Sequence, residues 1–117
     1  MSLRLATFTF DARDPVALAT WWQQVLGGEV DGADAPDEVV LRLPGATPIL
    51  FNMERTAKTV KNRLHFDLRP DDRDAEVERL LRLGAVKVDI GQVGAADVTW
   101  VVLADPEGNE FCVLRAR

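Results

Sequence analysis

Hydrophobic and polar positions alternate in two separated stretches of the chain. In Leu3 to Asp11, Phe8 and Phe10 fall on one side while Thr7, Thr9 and Asp11 fall on the other, the period of a half-buried strand. The same alternation returns in Lys61 to Arg69, KNRLHFDLR, where Leu64, Phe66 and Leu68 oppose His65 and Asp67. Asp14-Pro15 predicts a helix start, because Asp accepts from first-turn amides and Pro lacks a donor that has no partner there. Leu18, Trp21, Trp22, Val25 and Leu26 follow at helical spacing, and Gly27-Gly28 closes the segment. The pattern next predicts a short strand at Glu29 to Val30, a loop from Asp31 to Asp37, and strands at Glu38 to Leu43 and Pro48 to Met53. Pro48, with no amide to give a ladder, belongs at a strand start or on an edge.

The second half repeats this order. Pro70-Asp71-Asp72 caps a helix running to about Leu83, with acids at its start and Arg79 and Arg82 near its end, as the helix dipole favours. Its expected buried stripe is Val77, Leu80, Leu81 and Gly84, and Glu78 and Arg82 are spaced for an ion pair. Strands are expected at Ala85 to Ile90, Val98 to Ala104 and Glu110 to Arg115, with a loop from Gly91 to Ala96. Asp105-Pro106-Glu107-Gly108 fits a type I turn. Strand-helix-strand-strand-strand, twice, is no doubly wound sheet, in which every strand pair needs its own crossover. The expected fold is α+β: two βαβββ modules forming an open, curled, eight-stranded barrel-like sheet with the helices outside. Residues 1–117 form a single domain in this reading, with module one at about 1–55, a polar connector at 54–61 and module two at about 62–117. Leaving the phenylalanines wet would forfeit roughly 1.5 to 3 kcal/mol per side chain, so they should face the helices and the polar set the cavity.

Composition narrows the partners. The 117 residues carry a formal charge of −5 and no run of five like charges, so nucleic acid would meet repulsion. The single cysteine, Cys112, has no internal disulfide partner and suits a reducing compartment. No apolar run approaches a membrane span, and the N-terminus moves straight into alternation without a signal-peptide pattern, so a cytoplasmic location is expected.

Candidate chemistry centres on the polar strand faces. His65 is the only histidine and lies beside Asp67, making it the best candidate for a catalytic base. The expected ligand-binding set is Thr7, Thr9, Asp11, Asn52, His65, Asp67, Trp100 and Cys112. Trp100 suits either core or cavity wall. Adjacent Trp21 and Trp22 are not both expected at the core centre: one should pack while the other lies at a rim, an interface or a pocket mouth. Cys112, among Phe111, Val113 and Leu114, is expected to be buried and inert.

The doubled pattern, with KNRLHFDL opening the second half and VTWVVLADPEGNEFCVL closing it, resembles the glyoxalase-like branch of the vicinal oxygen chelate superfamily, which includes bleomycin-resistance proteins and extradiol dioxygenases. The resemblance implies metal ligands at the first and last strands of each module. Carried over, these places fall on Thr7, near Ile49 to Phe51, on His65 and on Cys112, so only two could bind a metal. The expectation is therefore a small-molecule binder without a cofactor. A divalent metal at His65 and Cys112, with Asp67 or Glu110 swinging in, is the alternative and would make a lyase or isomerase acting on a small carbonyl compound. The resemblance also implies a homodimer.

Overall fold

Asp14 accepts a hydrogen bond from the Ala17 amide at 3.1 Å, and Pro15 occupies the first turn of α1 (Pro15–Leu26). This is the capped start expected from Asp-Pro. The structure is a computed structural model describing residues 2–89 and 100–117. It divides into two units, residues 1–57 and 58–117.

The first unit holds β1 (Phe8–Ala12), α1, β2 (Glu29–Asp31), β3 (Glu38–Arg42) and β4 (Ile49–Met53). Its sheet order is β1-β4-β3-β2, with β1 parallel to β4 and the other pairs antiparallel. Register puts Phe10 beside Phe51, and the two rings lie 5.4 Å apart. Phe10 also stacks on Trp22 of α1 at 6.0 Å, so this face is the one the helix covers. Val39, Leu41, Ile49, Phe51, Leu18 and Trp22 complete a buried apolar core. Thr9, Asp11 and Asn52 lie on the opposite face, where Asp11 and Glu38 flank Asn52 in register.

Two expectations are corrected here. The first strand begins at Phe8 instead of Leu3, because the Phe8 amide bonds the Pro48 carbonyl at 3.1 Å and Pro48 has no N–H to continue the ladder. Leu3, Leu5 and Thr7 are exposed as a result. Both tryptophans of α1 are buried, Trp21 to 6% exposure, with Trp21 packed edge-on against Trp22 at 5.1 Å and 86°. An edge-to-face pair lets two large neighbouring rings share one apolar region.

Gly28 is fixed by sterics. Its φ is +87°, and a Cβ there would stand 2.3 Å from the Arg42 carbonyl oxygen, so only glycine lets β2 start this close to β3.

The second unit repeats the plan with β5 (Phe66–Leu68), α2 (Arg73–Arg82), β6 (Val86–Lys87), β7 (Trp100–Ala104) and β8 (Glu110–Leu114), in the order β5-β8-β7-β6. β5 runs parallel to β8, and the other pairs are antiparallel. The chain is thus α+β, two βαβββ modules each carrying a four-stranded mixed sheet and one helix. Asp72 caps α2 through the Ala75 amide at 3.1 Å. Leu80 is the buried residue of α2 and Val77 is half-buried, whereas Leu81 and Gly84 are exposed, which narrows the expected stripe. α2 carries ion pairs between Glu76 and Arg79 at 2.8 Å, three residues apart, and between neighbouring Arg73 and Asp74 at 3.1 Å, in place of the expected Glu78 with Arg82.

β5 is also shorter than expected. Asn62 takes the backbone groups of Glu110 with its side chain: Oδ1 accepts from the Glu110 amide at 3.0 Å and Nδ2 donates to its carbonyl at 3.3 Å. An amide side chain stands where a strand backbone was expected. The expected loop from Gly91 to Ala96, the end of the strand at Ile90 and the start of the next at Val98 lie outside the described residues.

Candidate functional site

Register sorts the second sheet into two faces. Phe66, Phe111 and Leu103 align across three strands, as do Leu68, Val113 and Val101, and this side carries the buried Phe111, Val113 and Leu103. Asp67, Cys112 and Val102 align on the other side, with Trp100 beside Leu114. His65 stands just before β5, two residues from Asp67. On this second face lies a pocket of about 500 Å³, walled by Lys61, His65, Asp67, Trp100, Val102 and Cys112, with Glu110, Phe111 and Leu114 completing it.

The polar groups form two sets. Lys61 Nζ lies 2.7 Å from Glu110 Oε1, so cation and carboxylate neutralise each other at one end. His65 Nε2 lies 3.3 Å from Asp67 Oδ1, and one ligand-capable atom each of His65, Asp67 and Cys112 lie within 4.8 Å of one another. Burial pushes the Cys112 thiol upward, and the Asp67 carboxylate, which accepts its hydrogen bond, adds to the shift. Both effects favour the protonated thiol. A nucleophilic cysteine needs the reverse environment, a cation or helix N-terminus that favours thiolate. In the native chain Cys112 is expected to react with a water-soluble disulfide reagent at pH 8 more than about tenfold slower than a free thiol, and denaturant should abolish the difference. A burst at the free-thiol rate in native protein would contradict this.

Of the eight candidate residues, the structure brings His65, Asp67, Trp100 and Cys112 together around this pocket. Thr7, Thr9, Asp11 and Asn52 belong to the first unit. Trp100 is 40% exposed and stands in the wall, which decides between its two expected places. Val102 and Leu114 were not singled out from sequence, although both share strand parity with residues that were. The pairing of Lys61 with Glu110 carried no sequence signal, since 49 residues separate them.

The four metal places implied by family resemblance do not fit as a set. Thr7 is a weak donor, and Ile49, Leu50 and Phe51 offer none, whereas a divalent site with an open position usually takes three protein donors. His65, Asp67 and Cys112 do supply three donors of metal-binding type, from β5, its entry and β8.

Comparison with known proteins places these features. The chain superposes on a glyoxalase/bleomycin resistance protein/dioxygenase family enzyme from Burkholderia phytofirmans PsJN, at TM-score 0.73 and 23% identity over 98% of this chain and 100% of that one. It is also similar to the fosfomycin resistance protein FosX from Mesorhizobium loti, at TM-score 0.72 and 16% identity, with 100% and 94% covered. A third likeness is to TnmS3, an antibiotic binding protein from Streptomyces sp. CB03234, at TM-score 0.63 and 16% identity, with 100% and 99% covered. No curated protein sequence matches it. At these identities the structures share a fold, whereas the family model described as a glyoxalase-like domain matches residues 7–114 directly. The two repeated modules, the histidine strand and this matched span together make the chain a member of the glyoxalase-like domain family.

Proposed function

We propose that the pocket on the second sheet binds a small organic molecule with an aromatic or apolar body and a cationic or hydrogen-bond-donating group. The observation that carries this is Trp100, a 40% exposed indole over an apolar floor of Val102 and Leu114, facing a site whose polar end is His65 and Asp67. An apolar concavity with a few convergent polar groups is the usual form of a small-molecule site. Charge gives it a sign. Lys61 is matched by Glu110, which leaves the Asp67 carboxylate to attract a cation, and an indole face adds to that attraction. Two similar folds, FosX and TnmS3, are described as an antibiotic resistance protein and an antibiotic binding protein, in keeping with the reading.

Intrinsic fluorescence tests it. Trp21 and Trp22 are buried, so a ligand in the pocket should act on Trp100 emission. Titration with a panel of cationic and neutral aromatic compounds is expected to give a saturable change that Trp100→Phe removes. Asp67→Asn should weaken the cationic members by about tenfold, consistent with a charge-assisted contact of 1.5 to 3 kcal/mol, and spare the neutral ones. No saturable response and no ligand-induced rise in melting temperature across the panel would overturn the reading.

A second reading, a metal-dependent lyase or isomerase acting on a small carbonyl compound, is favoured by the clustering of His65, Asp67 and Cys112. A bound divalent ion would act there as a Lewis acid on substrate oxygens. Family analogy adds a homodimer to the proposal, which sedimentation velocity would detect.

A further inference from the structure

Resting on the organic-ligand reading of the pocket, we infer that Lys61 is its specificity-determining residue: by occupying the Glu110 carboxylate it restricts the site to ligands with one positive charge and turns away those with two. Two carboxylates, Asp67 and Glu110, wall the same cavity. Asp67 is the register partner of Cys112, two residues from Glu110, so strand geometry sets the Asp67 and Glu110 Cα atoms roughly 8 Å apart, one strand across and two residues along. With both carboxylates free, the pocket would suit a molecule with an ammonium group at each end. Lys61 takes one of them, its Nζ lying 2.7 Å from Glu110 Oε1.

Exposure decides which carboxylate matters more. The Glu110 side chain is 15% exposed and that of Asp67 54%, so water screens Glu110 less, and unpaired it would be the stronger attractor of a cation. The Lys61 ammonium is delivered to it by a neighbour. Asn62, next in the chain, accepts from the Glu110 amide at 3.0 Å and donates to the Glu110 carbonyl at 3.3 Å, which fastens the Lys61 backbone beside that carboxylate.

The Lys61 side chain is itself 73% exposed, and a pair with so exposed a member adds little to stability. Its effect falls on what approaches the pocket. A second ammonium arriving at Glu110 meets Lys61 and is repelled, whereas a ligand carboxylate arriving at Lys61 meets Glu110. That end favours neither sign of charge, and Asp67 remains for a single cation. At pH 8, where imidazoles are neutral, His65 leaves this count unchanged.

Two measurements on the full-length protein at pH 8 test the role of Lys61. Caesium and iodide ions quench the exposed Trp100 in preference to the buried Trp21 and Trp22, so the ratio of their quenching constants at equal ionic strength reports the charge of the pocket with no ligand present. Lys61→Met keeps the apolar stem and should raise the caesium-to-iodide ratio about twofold, and Glu110→Gln should lower it by a similar factor, as one partly screened charge does over roughly 10 Å of water. Calorimetric titration then compares benzylamine with 1,4-bis(aminomethyl)benzene, which adds a second aminomethyl group to the same ring. Wild-type protein should bind the diamine no more tightly than the monoamine, whereas Lys61→Met should favour the diamine by at least about tenfold, the worth of one charge-assisted contact. Circular dichroism and the urea midpoint of each variant separate a changed charge from a lost fold. A quenching ratio unmoved in folded Lys61→Met, or a tenfold wild-type preference for the diamine, overturns the inference. Failure of both amines to bind either protein counts against the organic-ligand reading, and the quenching ratio alone then decides whether Lys61 sets the charge of the pocket.

Discussion

Trp22→Ala is expected to lower the free energy of unfolding by about 3–5 kcal/mol, the range for truncating a large buried aromatic residue. Trp22 is fully buried and lies between the sheet and its neighbour in the helix, stacked on Phe10 at 6.0 Å and edge-on to Trp21 at 5.1 Å. Removing the indole deletes both ring contacts and leaves a cavity one wall of which, Phe10, is held by Phe51. Trp22→Phe retains a ring against Phe10 and should cost less than half as much. Urea denaturation followed by circular dichroism measures both variants. A loss below 1 kcal/mol for the alanine variant would show that the helix is not seated on the first sheet through this residue. For a chain of this size the full loss is a large fraction of total stability, roughly 5–15 kcal/mol.

Asp105→Ala should destabilise the protein by about 2–3 kcal/mol, for a different reason. Asp105 is 2% exposed and its Oδ1 accepts from the backbone amides of Glu107 and Asn109, both at 2.9 Å. The Asn109 side-chain amide donates to Oδ1 at 3.1 Å and to Oδ2 at 2.9 Å. The Gly108 amide closes the turn on the Asp105 carbonyl at 2.9 Å, and Gly108 adopts φ +86°. Alanine leaves these donors without their acceptor, and a buried donor left unmade costs about 1–3 kcal/mol. Asp105→Asn retains one acceptor oxygen but turns an amide toward the Asn109 amide, so its effect should fall between. Hydrogen exchange gives a local readout: the Glu107 and Asn109 amides of the turn should lose protection before those of β7 and β8. If Asp105→Ala leaves those two amides protected, the turn is held by the ladder alone. Because this turn sets the register of Val102 against Cys112, a shift would also move the thiol within the pocket.

These cases show why much of the architecture was visible in the residue order. The Asp-Pro start and Gly-Gly end of α1, the Asp105 turn and the alternation around His65 are local signals, each with its cause within a few residues. Strand parity put His65 with Asp67 and Glu110 with Cys112, each pair on one face of its own strand, and only the register made Asp67 and Cys112 neighbours. Other features depended on partners distant in sequence. β1 is cut short by Pro48, about 40 residues on, and β5 by Asn62 occupying Glu110, so neither limit shows in the strand's own pattern. The burial of both Trp21 and Trp22 depends on an edge-to-face fit that helical periodicity cannot express. Pocket-wall residues Val102 and Leu114 carried the parity of the site but no polar atom to draw notice.

The outer flank of β8 is spoken for along its length. Asn62 holds the backbone of Glu110, β5 covers the middle, and the Arg69 guanidinium donates to the Arg115 carbonyl at 2.6 Å. A foreign strand seeking to add to this sheet would find no open run of amides there, only the three-residue β5 with a charged Asp67 at its centre. Short, charged rims of this kind resist edge-to-edge growth. Two side chains from the flanking segments thus give this side of the second module's sheet a defence against fibril-like stacking at high concentration.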